Sequence, residues 1–214
     1  KKNDAIKNDK IYGIGYSAII EPSISNMGYV TTALPYKDRE KTGHKGGALA
    51  STSVSIGPTG SVYVTCDSLP QGQGHKTILS QIVADAFGIK INDVFVNTTH
   101  DTHKDAWSIA AGNYSSRFAG AVAGSAFNAA NNLKKKLQKI AASQLNCKSE
   151  NVLFDKEKVY DKKNSDNYLN FKRLAGIPHW SPGNLPEKLS PSLKETVFWG
   201  NEKLRPPNEK DEIN

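Results

Sequence analysis

Residues 48–66 alternate between two faces, and that alternation constrains the fold more than any other stretch of the chain. Ala50, Thr52, Val54 and Ile56 share one face of an extended segment from Ala48 to Ile56, because successive side chains of a strand point to opposite sides. Gly57-Pro58-Thr59-Gly60 makes a turn: proline presets one dihedral and glycine tolerates positive φ. Val62 and Val64 then share a face of the returning strand, Ser61 to Cys66. An apolar hairpin face needs a cover, and the next residues supply one. Leu69-Pro70-Gln71-Gly72-Gln73-Gly74-His75 is a glycine-rich turn that opens a helix from about His75 to Phe87. Ile78, Ile82, Val83 and Ala86 form its apolar stripe, and Gly88 stops it. Asp93 to Thr98 reads as a further strand. Hairpin, helix and strand together predict an α+β fold built from two-layer α/β sandwich units, with hairpins and a mixed sheet under packed helices.

The rest of the chain extends this pattern unevenly. Residues 1–10 are charged and polar and read as a linker, and Tyr12 to Pro22 reads as a strand ended by proline. Residues 23–47 form a loop rich in Gly, Ser, Asn, Lys and Asp. A second polar loop, Thr99 to Arg117, leads into a long helix from about Phe118 to Leu145. Its first half carries small residues, which permit close approach. Its second half turns Leu133, Leu137 and Ile140 inward and Lys134, Lys135, Lys136 and Lys139 outward. Val152 to Phe154 and Val159 to Tyr160 make a second hairpin. Beyond it, three prolines from Pro178 to Pro186 argue against regular structure, and Glu195 to Trp199 reads as a short strand. The expected organisation is a linker over 1–10, one α/β domain over 11–160, and an irregular segment over 161–214. That segment would lead into a following part of a longer polypeptide, since the chain opens on Lys1 and both ends are hydrophilic.

Composition excludes more than it selects. Hydrophobic residues make up 37% of the 214, enough for a globular core. No apolar run approaches the roughly 20 residues that span a bilayer, and no apolar core follows the charged start. The expectation is a cytoplasmic protein with no membrane partner. Two cysteines, Cys66 and Cys147, make neither a disulfide framework nor a metal set and read as reduced thiols. Twenty-eight Lys and Arg against twenty-one Asp and Glu give a net charge of +7, which suits an anionic partner but is common without one. The lysine run 134–136 lacks interleaved aromatics and groove-reading motifs, so it reads as a solvated face rather than a nucleic-acid site.

Two loops carry the chemistry. Gln71-Gly72-Gln73-Gly74-His75 lies at a strand-to-helix junction, where unpaired N–H groups and the helix dipole attract an oxyanion. Glycines let that backbone approach a ligand. The alternative is a tight turn with glycines for geometry alone. Gly112-Asn113-Tyr114-Ser115-Ser116-Arg117 again precedes a helix. Its serines suit an N-cap and its arginine an anion cradle, or capping beside a surface arginine. If both helices start on one side, the two ends converge on a ligand such as a pyrophosphate. His75, His100, His103 and Asp101 fit no zinc spacing, and Ser115 lacks the strand–Gly-x-Ser-x-Gly setting of a nucleophile. Trp180 and Trp199 read as core or cover.

At these loops the sequence resembles the molybdenum-binding large subunits of the xanthine dehydrogenase, aldehyde oxidase and aerobic carbon monoxide dehydrogenase family. Gly60 to Val64 followed by Gln71 to Thr77 resembles the family's strand and Q-G-Q-G-H-like turn, and Gln81 to Ile89 its following helix. His100-Asp101-Thr102 resembles its G-D-T stretch, and Gly112 to Arg117 its G-T-Y-G-S-R loop. His100, Asn113 and Ser115 depart from the usual residues. The resemblance implies a fragment of a larger molybdopterin-binding domain that holds a molybdenum–molybdopterin cofactor, as the cytosine dinucleotide form in bacterial and archaeal members. Gln71, Gly72, Gln73, Gly74 and His75 would lie against it, with Asn113, Tyr114, Ser115, Ser116 and Arg117 holding the pterin or its phosphate end. The metal is held by the pterin and not by side chains. The implied activity is oxidative hydroxylation of an aldehyde, a purine or N-heterocycle, or a similar small molecule, with water as oxygen source. Electrons would leave through iron–sulfur (2Fe-2S) and FAD centres on partner subunits or domains, and the rest of the large subunit would be a further partner. The family's glutamate base and glycine–phenylalanine loop are not found in these residues, so no catalytic residue is assigned. The alternative is a catalytically inactive α/β binding or assembly domain of such a complex.

Overall fold

The computed structural model describes residues 1–18, 33–39, 41, 49–107, 112–113, 116–200 and 209–210. In chain order the elements are α1 (Lys2–Lys7), α2 (Tyr36–Arg39), β1 (Ala50–Ile56), β2 (Val62–Cys66), α3 (His75–Phe87), β3 (Val94–Asn97), α4 (Ala123–Leu145), β4 (Val152–Asp155), β5 (Lys158–Asp161), β6 (Asn164–Asn170), α5 (Phe171–Trp180) and β7 (Lys194–Trp199). The expected α+β architecture is present.

β1 and β2 pair antiparallel, with Val54 opposite Val64 and Ile56 opposite Val62. β3 runs parallel to β2. Parallel neighbours need a crossover, and α3 supplies it. β7 adds antiparallel on the far side of β1, so the mixed sheet has the order β3-β2-β1-β7. A second sheet, β4-β5-β6, is antiparallel throughout.

The core lies between the sheets and the helices. Val54, Val62 and Val64 meet Val83 and Phe87 of α3 and Leu133, Leu137 and Ile140 of α4, all fully buried. Burying each such side chain stabilises the fold by about 1.5–3 kcal/mol. The buried row of α3 is His75, Leu79, Val83 and Phe87, four residues apart and therefore on one face. Of the expected stripe, Val83 and Ala86 are buried, Ile82 is half-buried and Ile78 is exposed. Thr52 of β1 shares a 2.6 Å hydroxyl hydrogen bond with Ser125 of α4. Gly124 lets α4 approach the indole of Trp199, which a β-carbon there would overlap.

The terminal parts differ from expectation. Residues 1–10 hold α1, with no buried residue. Residues 11–18 are not strand, and the remainder of the strand expected up to Pro22 lies outside the described residues. Residues 161–214, expected to be irregular, include β6, α5 and β7, and they complete the same core. Phe171 packs on Phe87 at 5.7 Å between ring centroids, Leu174 and Leu193 are buried, and β7 pairs with β1 over six residues. Pro178 did not break α5, because it falls in the last turn of a helix capped at Asn170, whose side chain accepts from Lys172 N. β6 reads as polar because its side chains are mostly exposed.

Candidate functional site

The glycine loop leaves β2 and enters α3 with its residues exposed. Gly72 and Gly74 take φ of 98° and 84°, in the left-handed region that glycine occupies without strain. The Gln71 N–H donates to Gln73 Oε1, which curls the loop on itself. Gly74 is the N-cap of α3 and offers no side-chain cap, so the first-turn N–H groups remain for another acceptor.

The second loop comes to meet it. Asn113 Nδ2 donates to Gln71 Oε1 at 3.3 Å, and Gly112 N–H donates to the Asp67 carbonyl at 2.8 Å. The two helix starts are in contact as well: His75 stacks on Phe118 with centroids 4.0 Å apart and planes 13° from parallel. The convergence that the sequence left open is therefore realised. A β-carbon at Gly72, Gly74 or Gly112 would meet nothing within 4 Å. Open glycine backbone, an uncapped helix start and two carboxamides in contact are chemically compatible with an anionic ligand, and so with a pterin cofactor that has a phosphate tail.

Several candidate residues take other places. Arg117 is not a surface cradle. It is fully buried and paired with the equally buried Asp67 at 3.3 Å. It also donates to the carbonyls of Leu49 at 2.7 Å, Gly112 at 2.9 Å and Asp67 at 3.4 Å. All these acceptors are protein groups, and a guanidinium so engaged is turned into the fold. His75 is fully buried rather than lining the loop, with the Ser68 backbone beside its ring. Burial holds its imidazole pKa below the ordinary 6.5. Ser116 is exposed at φ 46°, and no side-chain cap marks the helix start after it. Tyr114 and Ser115 lie outside the described residues.

Sequence reasoning missed Asp67. An aspartate ending a strand carries no motif of its own, and its partner is fifty residues away. Its Oδ2 also accepts from Ser51 N at 3.0 Å. Next to it, the buried Cys66 thiol is pushed up to about 11, mainly by burial, which makes it a poor nucleophile. Asp101, weighed above with His100 and His103, is held low chiefly by the His103 N–H and organises a local turn with Lys104. A groove of about 580 Å³ opens at the opposite end of α3, beside Gly88 and the Lys90–Glu157 ion pair, remote from both loops. No helix among the described residues is long and apolar enough to cross a membrane.

Comparison with known proteins gives one consistent result. The family model described as a molybdopterin cofactor-binding domain matches residues 1–214. The nicotine 6-hydroxylase large subunit of Paenarthrobacter nicotinovorans is 26% identical over 199 residues, 93% of this chain and 23% of that protein. The carbon monoxide dehydrogenase large chain of Afipia carboxidovorans is 30% identical over 158 residues, 74% of this chain and 18% of that one. Among solved structures, quinoline 2-oxidoreductase from Pseudomonas putida 86 superposes with a TM-score of 0.66 at 28% identity, covering 71% of this chain and 19% of its own. The chain thus spans about a fifth of the length of the relatives it matches.

Proposed function

Because the chain belongs to the molybdopterin cofactor-binding domains of the xanthine oxidase family's molybdenum-binding large subunits, we propose that its two glycine loops form part of the cofactor's seat in a molybdenum hydroxylase. The observation that carries this reading is the Asn113–Gln71 contact beneath open glycine backbone. Gly72, Gln73 and Gly74 would lie against the pterin, and the uncapped N–H groups of α3 would donate to its anionic end. The Asn113 and Gln71 amides would fix its orientation, and the family resemblance adds Tyr114, Ser115 and Ser116 as further contacts. When bound, the cofactor supplies oxidative hydroxylation with water as oxygen source. The residues here bind and orient it and close off one side from solvent. The nucleotide form is the cytosine dinucleotide, and the substrate is an aldehyde, an N-heterocycle or a similar small molecule. Electrons pass to iron–sulfur and FAD partners.

The test is molybdenum and cytosine nucleotide analysis of the full-length subunit assembled with its partners. About one of each per subunit is expected. Gln73→Ala should lower cofactor retention by on the order of 10–100-fold, the range seen when groups supporting a metal site are removed, with the fold intact by circular dichroism. Neither molybdenum nor nucleotide in a well-folded complex would instead favour an inactive binding or assembly domain.

A further inference from the structure

We propose that Arg117 is a positioning residue: a buried guanidinium that sets the spacing between the two glycine loops, and so governs cofactor affinity without touching the cofactor. The inference rests on the cofactor-seat reading above. One side chain holds three separate segments. Its Nη2 reaches Leu49 O, just before β1, and Asp67 Oδ1, just after β2; its Nη1 reaches Gly112 O and Asp67 O. Asp67 returns the grip through Oδ2 to Ser51 N and through its carbonyl to Gly112 N. Gly112 is one residue from Asn113, and Asp67 is four from Gln71. The clamp therefore stands immediately behind the only described hydrogen bond between the loops' side chains.

Stability alone does not call for this arrangement. Removing two charges from water costs several kcal/mol per ion, and well-packed apolar residues commonly replace a buried pair without loss. What a guanidinium adds is a rigid planar fork of donors that fixes the angles between its acceptors. Lysine keeps the charge but, as a compact point donor, cannot satisfy the same set of acceptors at once. The geometry is what distinguishes arginine here.

The test uses the full-length subunit in its complex, comparing wild type with Arg117→Lys. The readouts are molybdenum and nucleotide content, the melting temperature of the cofactor-free form, and hydrogen exchange at the Gly112 amide. Expected for Arg117→Lys is a loss of cofactor of about 10–100-fold, with faster Gly112 exchange and a lowered cofactor-free melting temperature, because lysine leaves buried acceptors unpaired. Equal cofactor content and unchanged Gly112 exchange would overturn the inference while leaving the cofactor-seat reading intact. A wild-type complex with no cofactor would overturn both. Should the lysine variant fail to fold, the cofactor-free wild type decides: protection of the Gly112 amide supports a preset clamp, and free exchange there sinks it.

Discussion

His75 shows how much of a residue's role can be hidden from sequence. A histidine opening a helix after Gln-Gly-Gln-Gly reads as a ligand contact, and its position is legible. Its burial against Phe118 is not, because that depends on a helix start more than forty residues away. The same holds for Arg117, whose partner Asp67 is distant in the chain. The imidazole has a measurable consequence. Unfolded, it takes up a proton near pH 6.5; folded, burial holds its pKa lower. The unfolded chain therefore binds the extra proton below that pH, so this residue's contribution is intact above about 6.5 and is lost as pH falls from there through the lower folded value. Urea midpoints at pH 7.5 and 5.5 should show wild type losing more stability on acidification than His75→Gln. Parallel pH profiles for the two proteins would remove the imidazole from the account.

Among the elements, those announced by periodicity or by punctuation were readable. The 48–66 hairpin, the span of α3, the body of α4 and the β4–β5 hairpin follow from alternation, helical spacing and turn residues. The β7 strand matched the expected Glu195 to Trp199 to within one residue, whereas β6 and α5 were not readable. A mostly exposed strand lacks an apolar face to alternate, and a proline in a helix's last turn looks like a break when the turn is unknown. The close packing of the end of α3 on β4 offers a test. Gly88 ends α3 at φ 61°, and a β-carbon there would come within 2.8 Å of the Asp155 nitrogen and the Phe154 carbonyl carbon. Both the dihedral and the backbone contact oppose a side chain. Gly88→Ala should cost about 1–3 kcal/mol, read from urea unfolding, without altering the glycine loop at the other end of the helix. A variant as stable as wild type would mean that β4 can move aside.

For the whole molecule, the helices cover one face of the main sheet and leave the other with large apolar groups in solvent. Tyr63 and Phe95 stack at 5.6 Å on that side and both are about half exposed. The chain spans about a fifth of the length of the relatives it matches, and the proposed cofactor seat uses only two of its loops. A cofactor held by two loops alone makes few contacts. The 214 residues expressed alone should fold but retain much less than one molybdenum per chain after gel filtration, whereas stoichiometric metal would show that the two loops suffice.

The approach to α4 contains one π-helical turn, Phe118–Val122. Such a turn accommodates one residue more than an α-helical turn does, and each residue of an α-helix corresponds to a rotation of about 100°. It therefore works as a phase adjuster between two registers. The inward row of α4 is dictated by Leu133, Leu137 and Ile140, while the direction of Arg117 is dictated by Asp67 and Gly112, and the extra residue reconciles them. Shortening this turn by one residue would leave the core row in place and swing the arginine to another side of the helix, uncoupling the packing of the domain from the alignment of its two loops.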